Sequence, residues 1–297
     1  MKVSANGLQI AVDVQGPAEG EPVLLIMGLG MQWLAWPDEL VADLVARGHR
    51  VVRFDNRDAG LSDGFDHLGM PGMAGPMLRH ALHLRVASPY TLRDMADDAA
   101  GVLDALGMVA AHVCGASMGG MIAQHLAVRH APRVKSLTLV MTSSGARRLP
   151  QPGLRVRQAL LGRPRSSAVA DVVAHLERVV GVIGSPGYPP DPQRLRERLE
   201  AAARRAWRPA GTARQLLAIV ADGDRTPLLG RIRQPTRVVH GADDPLVPPA
   251  AGQDLAQRIA GATLDLVPGM GHDLPLPLLP RLADNITTAA RAAGAMA

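Results

Sequence analysis

Short apolar runs alternate with amphipathic stretches along most of this chain. Continuous apolar runs bounded by glycine or proline are typical of strands buried on both faces, whereas apolar positions three and four residues apart are typical of helices. An alternating stretch over residues 3–15, interrupted by Asn6-Gly7, predicts a hairpin at the start. Six further strands are predicted, at 23–27, 51–55, 111–116, 134–142, 235–241 and 263–267.

The order of these elements predicts the fold class. Strands that alternate with helices form parallel sheets with helices on both faces. We therefore expect an α/β fold with a mainly parallel, eight-stranded sheet. The helices predicted between and after the strands lie at 37–47, 92–106, 121–127, 248–260 and 275–293.

Residues 143–230 interrupt this alternation. They are rich in Arg, Ala and Leu and have helical periodicity at 166–182, 191–206 and 209–222, with proline-containing turns between these stretches. We predict that 143–230 is a helical insertion after the sixth strand. Residues 1–142 and 231–297 then form the core domain.

Ser117 lies between the apolar run 111–116 and a helix-like stretch. In the pattern Gly115-x-Ser117-x-Gly119, a sharp strand-to-helix turn presents the serine at its tip, where the backbone is strained and the neighbouring residues need to lack a Cβ. The helix N-terminus favours negative charge that develops beside the serine. The three-residue pattern also arises by chance, but its place between a strand and a helix makes Ser117 a candidate nucleophile.

A serine nucleophile needs a histidine base, and the base needs a carboxylate that orients it. Among ten histidines, His272 is the one in a glycine-rich turn directly after the last predicted strand. The turn after 235–241 offers Asp243 and Asp244 as the acid. Because adjacent side chains in such a turn point in different directions, only one can meet His272. We predict Asp244, and expect Asp243 to hydrogen-bond the turn.

Two backbone N–H groups are predicted to stabilise the oxyanion of a tetrahedral intermediate. One belongs to Met118, the residue after the serine. The other belongs to Leu29, in the turn after the strand 23–27, where Gly28 and Gly30 supply conformational freedom.

We expect an apolar pocket, because methionines occur in the loops predicted at the ligand side of the sheet and adapt to varied shapes. Segment 64–88 is rich in Gly, Met and Pro, with a short helix predicted at 77–86. A flexible surface loop is the alternative for this segment, and a core position is the alternative for the individual residues. The predicted lining residues are Gly28, Met31, Trp33, Met70 and Met73.

Composition narrows the possible partners. The formal net charge is +5 and the pI is about 10.2, but nearly all the cations are arginines interleaved with acids and alanines, so we expect no nucleic-acid partner. Cys114 is the single cysteine, which excludes a disulfide framework and a cysteine-based metal site; we expect no metal and no cofactor. No apolar run has the length of a signal peptide or membrane span, so we expect a cytoplasmic protein that binds no membrane.

Several motifs together resemble the α/β-hydrolase family, from Val23 to about Ala290. The turn Asp55-x-Arg57-x-x-Gly60-x-Ser62 is similar to that family's structural turn after its second core strand. By this resemblance the helical insertion 143–230 takes the place of that family's cap, inserted after the sixth strand. More narrowly, the chain is similar to the aclacinomycin methylesterase group of bacterial esterases, although segment 64–88 and this helical cap do not match. The motifs of this second resemblance are Met27-Gly28-Leu29, Trp36-Pro37-Asp38-Glu39, Arg57-Asp58-x-Gly60, Ser117-Met118-Gly119, Asp244-Pro245 and Pro268-Gly269-Met270-Gly271-His272-x-Leu274-Pro275.

The resemblance implies Ser117, Asp244 and His272 as a catalytic triad, with Leu29 and Met118 as oxyanion donors. We therefore predict a serine carboxylesterase for small to medium hydrophobic carboxylic esters. Lactone hydrolysis and carbon–carbon bond hydrolysis use the same triad and stay open, as does a ligand-binding protein of hydrolase fold without turnover. The natural substrate and the oligomeric state do not follow from the sequence.

Overall fold

Eight strands form one sheet in the structure, a computed structural model that describes residues 1–295. They are β1 (Lys2–Ala5), β2 (Leu8–Gln15), β3 (Glu21–Ile26), β4 (His49–Phe54), β5 (Ala111–Ala116), β6 (Val134–Val140), β7 (Thr236–Gly241) and β8 (Thr263–Val267). Their order across the sheet is β1-β2-β4-β3-β5-β6-β7-β8. Only β2 runs antiparallel to its neighbours, β1 and β4. The mainly parallel, eight-stranded sheet is therefore confirmed.

Eleven helices are described within residues 1–295. They are α1 (Asp38–Ala46), α2 (Ala74–Ala81), α3 (Leu92–Ala105), α4 (Met118–Arg129), α5 (Leu154–Leu161), α6 (Val169–Ile183), α7 (Pro192–Arg205), α8 (Pro209–Asp222), α9 (Thr226–Leu229), α10 (Ala250–Arg258) and α11 (Leu279–Gly294). None of the helices in this described part of the chain is long and apolar enough to cross a bilayer.

β3 shows why the central strands are continuous apolar runs. Leu24 and Ile26 pack into a core with α3, α4 and α10, on one face of the sheet. Val23 and Leu25 pack into a second core with α1 and α11, on the other face. Since successive side chains of a strand point to opposite faces, a strand between two helical layers is apolar at every position.

The inserted segment contains more helix than the periodicity predicted. α6, α7 and α8 lie where helices were expected, whereas α5 and the one-turn α9 were not predicted. The insertion is tied to the core by the ion pair of Arg214 with Asp58, at 2.7 Å, and both side chains are fully buried.

The helix predicted at 77–86 was wrong in its bounds. α2 begins at Ala74, so Pro76 falls in the first turn, where a missing N–H costs nothing. It ends at Ala81 because His83 adopts a positive φ of 58°. The last helix likewise begins later than the predicted 275, because residues 276–278 form a single 3₁₀ turn.

Because the strands are parallel, the turns that contain the predicted site residues lie at one edge of the sheet. The turns after β3, β5, β7 and β8 all leave from the carboxyl ends of their strands, where open α/β sheets bind ligands.

Candidate active site

Ser117 lies at the tip of a tight turn between β5 and α4. Its backbone has φ 54° and ψ −119°, a strained conformation for a residue with a side chain. A Cβ on Gly119 would lie 1.9 Å from the Ile26 carbonyl oxygen, and one on Gly115 would lie 2.3 Å from the Gly119 carbonyl oxygen. The glycines are therefore required by the close approach of strand and helix, as the sequence pattern predicted.

His272 faces this serine from the turn after β8. Its Nε2 lies 3.1 Å from Ser117 Oγ, and its Nδ1 lies 2.7 Å from Asp244 Oδ2. An ionised carboxylate only accepts hydrogen bonds, so the ring proton resides on Nδ1 and Nε2 is left to accept the serine proton. The three side chains thus form one hydrogen-bonded chain, although 127 residues separate Ser117 from Asp244 along the sequence (244 minus 117).

Asp244 is held by its own turn. Its Oδ1 accepts the backbone N–H groups of Leu246 and Val247 at 2.9 and 2.8 Å, which leaves Oδ2 for His272. The side chain of Asp243 points elsewhere, and its Oδ2 accepts the Gly269 N–H at 2.7 Å. Asp244 therefore meets His272 as predicted, whereas the role expected for Asp243 was wrong in its partner, because Asp243 bonds the turn after β8 and Asp244 itself bonds the N–H groups of their common turn.

A second buried histidine, His240, contacts two residues of this turn. His240 Nε2 lies 2.8 Å from the Val247 carbonyl oxygen and 3.7 Å from Asp244 Oδ2. Burial lowers the pKa of His240, which favours the neutral ring. His240 therefore has a structural role, because its Nε2–H donates to a backbone carbonyl oxygen.

The turn after β3 closes over the serine. A Cβ on Gly28 would lie 3.2 Å from Ser117 Cβ and 3.7 Å from its Oγ, so this glycine leaves room beside the nucleophile. The Met31 N–H donates to the Gly28 carbonyl oxygen at 3.2 Å, and Gly30 has a φ of 67°. The predicted donors are the Leu29 N–H in this turn and the Met118 N–H at the start of α4, where the helix dipole favours an anion.

The other predicted pocket residues have varied surroundings. The guanidinium carbons of Arg53 and Arg205 lie 4.5 and 5.1 Å from the centroid of the Trp33 ring. Met31 and Met70 are exposed, and Met73 is half-buried beside the start of α2. Gly28 is placed beside Ser117, since a Cβ added to it would lie 3.2 Å from Ser117 Cβ, and the lining role of the five residues stays a prediction.

Two residues of the insertion that hold the site were not found by sequence reasoning. Gln215 accepts the Gly30 N–H at 2.7 Å, and Ser185 Oγ accepts the Gly271 N–H at 2.8 Å. Both lie in a segment without motifs, so no local signal distinguishes them from the other polar residues there.

Metal ligands are not grouped near the triad. No cluster of three or more His, Cys, Asp or Glu side chains suited to a metal occurs in the part of the chain that the structure describes. Cys114 is buried in β5, and burial raises the pKa of its thiol.

A family model for the α/β hydrolase fold matches residues 21–276. The chain belongs to the α/β-hydrolase family. This α/β-hydrolase is 32% identical to rhodomycin D methylesterase DauP of Streptomyces sp. strain C5, over 93% of each chain. That similarity confirms the resemblance to the aclacinomycin methylesterase group and identifies a hydrolase that acts on ester bonds.

Solved structures share the fold of this α/β-hydrolase at lower identity. A meta-cleavage product hydrolase of Pseudomonas fluorescens IP01 superposes with a TM-score of 0.72 at 20% identity, covering 99% of this chain and 98% of that one. An enol-lactonase of Burkholderia xenovorans LB400 also has a TM-score of 0.72, at 22% identity, covering 98% of this chain and all of the other.

Proposed function

We propose that this α/β-hydrolase is a serine carboxylesterase with Ser117 as nucleophile, His272 as general base and acid, and Asp244 as the carboxylate that orients the histidine. The observation that carries the proposal is the chain of contacts from Ser117 Oγ through His272 to Asp244, at 3.1 and 2.7 Å. This arrangement supplies a nucleophile, a base and an orienting group in hydrogen-bond contact.

The reaction proceeds in two halves. As Ser117 Oγ attacks the ester carbonyl carbon, His272 Nε2 takes its proton, and the Leu29 and Met118 N–H groups stabilise the oxyanion. Collapse of this intermediate breaks the bond to the alcohol oxygen, which receives the proton from Nε2. Water then adds to the acyl-enzyme while His272 takes one of its protons. The second collapse releases the acid and returns the proton to Ser117.

The substrates that we propose are small to medium hydrophobic carboxylic esters. The relative's name, a methylesterase, supports an ester whose leaving group is methanol. We further propose that residues 143–230 act as a cap over the core formed by 1–142 and 231–297, and that Met31, Trp33, Met70 and Met73 line the space between them with Gly28. No cofactor enters any step.

Lactone hydrolysis is the second candidate. A lactone is a cyclic ester, so the same triad opens it by the same two steps, and the alcohol stays attached to the acid. Carbon–carbon bond hydrolysis requires in addition that a carbon leaving group be protonated. The geometry of the three side chains favours neither lactone hydrolysis nor carbon–carbon bond hydrolysis over the hydrolysis of simple esters.

The test is hydrolysis of p-nitrophenyl esters from acetate to decanoate and of aryl methyl esters, with wild type beside Ser117→Ala. We expect turnover by wild type and a loss of at least about a thousandfold in Ser117→Ala. Ser136→Ala is the matched control, since Ser136 Oγ is also paired with a histidine, at 2.9 Å from His112 Nδ1, but at the opposite end of the sheet.

Activity of Ser117→Ala close to wild type would refute the proposed mechanism. A folded wild type that hydrolyses none of these esters, yet is labelled at Ser117 by a fluorophosphonate, would favour the lactone or carbon–carbon substrates. A folded wild type without labelling would favour the binding protein.

A further inference from the structure

Gln215 of α8 links two turns of the core through one buried side chain. Its Oε1 accepts the Gly30 N–H at 2.7 Å, and its Nε2 donates to the Arg57 carbonyl oxygen at 2.7 Å. The side chain is fully buried. Gly30 belongs to the turn after β3, and Arg57 to the turn after β4, so a residue of the insertion holds two loops of the core to each other.

The Gly30 N–H belongs to the central peptide of the turn 28–31. This turn is closed by the Met31 N–H and the Gly28 carbonyl oxygen, and its third residue, Gly30, has a positive φ. In such turns the orientation of the central peptide distinguishes the type II conformation from the commoner type I. A fixed acceptor for the Gly30 N–H therefore selects one orientation of the central peptide, and it ties the turn that contains the Leu29 N–H to α8.

A second residue of α8 packs on this turn, and α7 is hydrogen-bonded to the residue that follows it. Gln32 Nε2 donates to the carbonyl oxygens of Ala202 and Ala206 at the end of α7, at 2.7 and 2.9 Å. A Cβ on Gly30 would lie 2.6 Å from Thr212 Oγ1, so α8 packs directly on the turn. α8 thus contacts the turn itself, and α7 holds Gln32 directly after it.

We propose that Gln215 is a positioning residue for the oxyanion site. It holds the turn 28–31 in the place from which the Leu29 N–H reaches the developing oxyanion, and it does so through Gly30 without contacting the substrate. The proposal rests on the proposed function, because it assigns Gln215 to the same hydrolytic site. By this proposal α8 helps to hold the active site in shape, although it belongs to the inserted segment 143–230.

The test compares Gln215→Met with Gln234→Met. Gln234 is also a buried glutamine, and its Nε2 donates to the Ala127 and Ala131 carbonyl oxygens, far from the site along α4. We expect kcat of Gln215→Met to fall about 10- to 100-fold, because a misdirected donor loses part of what a deleted donor loses. KM is expected to change by less than about threefold, since the contact acts in the transition state.

A second readout separates positioning from general damage. A trifluoromethyl ketone adds the serine and places an oxyanion between the Leu29 and Met118 N–H groups, so its affinity is expected to fall by the same factor as kcat. The affinity for the product acid is expected to stay unchanged. Gln215→Glu keeps an acceptor for the Gly30 N–H and is expected to retain more activity than Gln215→Met.

The proposal is overturned if kcat and ketone affinity of Gln215→Met match those of Gln234→Met. If Gln215→Met does not fold, the same comparison between Gln215→Asn and Gln234→Asn decides, because the shorter amide draws the acceptor back from the Gly30 N–H, and the loss is expected only in the first. A failure here leaves wild type active on esters, whereas a failure of the proposed function leaves wild type inactive and removes both proposals.

Discussion

The backbone N–H of His272 donates to the carbonyl oxygen of Ile183 at 2.7 Å, so the candidate base is bonded to the last residue of α6. Next to this contact, Ser185 Oγ accepts the Gly271 N–H and donates to Asp273. Burial raises the pKa of the Asp273 carboxyl. The turn that carries His272 is therefore held by the inserted segment, just as the turn that carries Leu29 is.

Ser185→Ala removes both bonds of this hydroxyl. The buried Gly271 N–H and the Asp273 carboxyl lose a partner, so we expect the free energy of unfolding to fall by about 1–3 kcal/mol. We also expect kcat to fall, because His272 is adjacent to both groups. Ser166→Ala is the matched control, since Ser166 makes the same two kinds of bond, to Asp171 and the Ala168 N–H, on an exposed surface. The measurements are the free energy of unfolding in urea and kcat of both variants. Equal losses in Ser185→Ala and Ser166→Ala would contradict the expectation.

The adjacent aspartates give a second prediction. Asp244→Asn offers His272 an amide in place of a carboxylate, so the ring loses the group that fixes its tautomer and stabilises its charge. We expect kcat to fall by about 10³- to 10⁴-fold. Asp243→Asn keeps an oxygen that can accept the Gly269 N–H, so we expect kcat to stay within about threefold of wild type. A larger loss in Asp243→Asn than in Asp244→Asn would reverse the assignment of the acid.

Both aspartates were distinguishable in the sequence because the chemistry of a turn is local. The strand, the turn and the following proline lie within one short stretch, and the alternation of strands and helices brings the ends of parallel strands to one edge. The proposed nucleophile, acid and base thus follow from element order and turn type. The fold class follows from the same alternation, as β3 illustrates with its four consecutive buried residues.

Gln215 and Ser185 were not predictable for the converse reason. Each acts across the boundary between insertion and core, on the N–H of a residue 185 positions away for Gln215 and 86 positions away for Ser185. Helical periodicity locates α8 but does not say which loop its buried polar side chain meets. The bounds predicted for α2 were wrong because the sequence again gives no signal, since nothing in it shows that His83 adopts a positive φ.

Two glycine substitutions are expected to have opposite effects on stability. A Cβ on Gly119 would lie 1.9 Å from the Ile26 carbonyl oxygen, so Gly119→Ala forces β3 and α4 apart. We expect a loss of about 2 kcal/mol or more in the free energy of unfolding, together with a loss of kcat because Ser117 moves. Gly181 is an exposed residue of α6 with open space around its Cα. Gly181→Ala is expected to stabilise by about 0.5–1 kcal/mol, because alanine loses less conformational freedom in a helix.

Thermal and urea unfolding of both glycine variants check this pair. Gly181→Ala is the control for the added methyl group itself. Destabilisation of both variants to the same extent would mean that contact with Ile26 is not the cause.

His112 gives the stability of the protein a dependence on pH. The ring is buried, with Nδ1 2.9 Å from Ser136 Oγ, and burial lowers its pKa to about 4. In the unfolded chain a histidine has a pKa of about 6.5. Between these values the unfolded state binds a proton that the folded state does not, so the contribution of His112 is complete above pH 6.5 and is lost as the pH falls towards 4.

His112→Gln removes this titration and keeps a group that can bond Ser136. Over the same range we expect the free energy of unfolding of wild type to fall more steeply than that of the variant, by up to about 1.4 kcal/mol per pH unit for one proton. Urea unfolding at intervals from pH 7 to 4.5 measures both slopes. His67→Gln, at an exposed histidine, is expected to keep the slope of wild type. If His112→Gln also keeps that slope, His112 does not carry the dependence. The other buried histidines whose pKa is lowered by burial, His49, His175 and His240, are then next to be substituted.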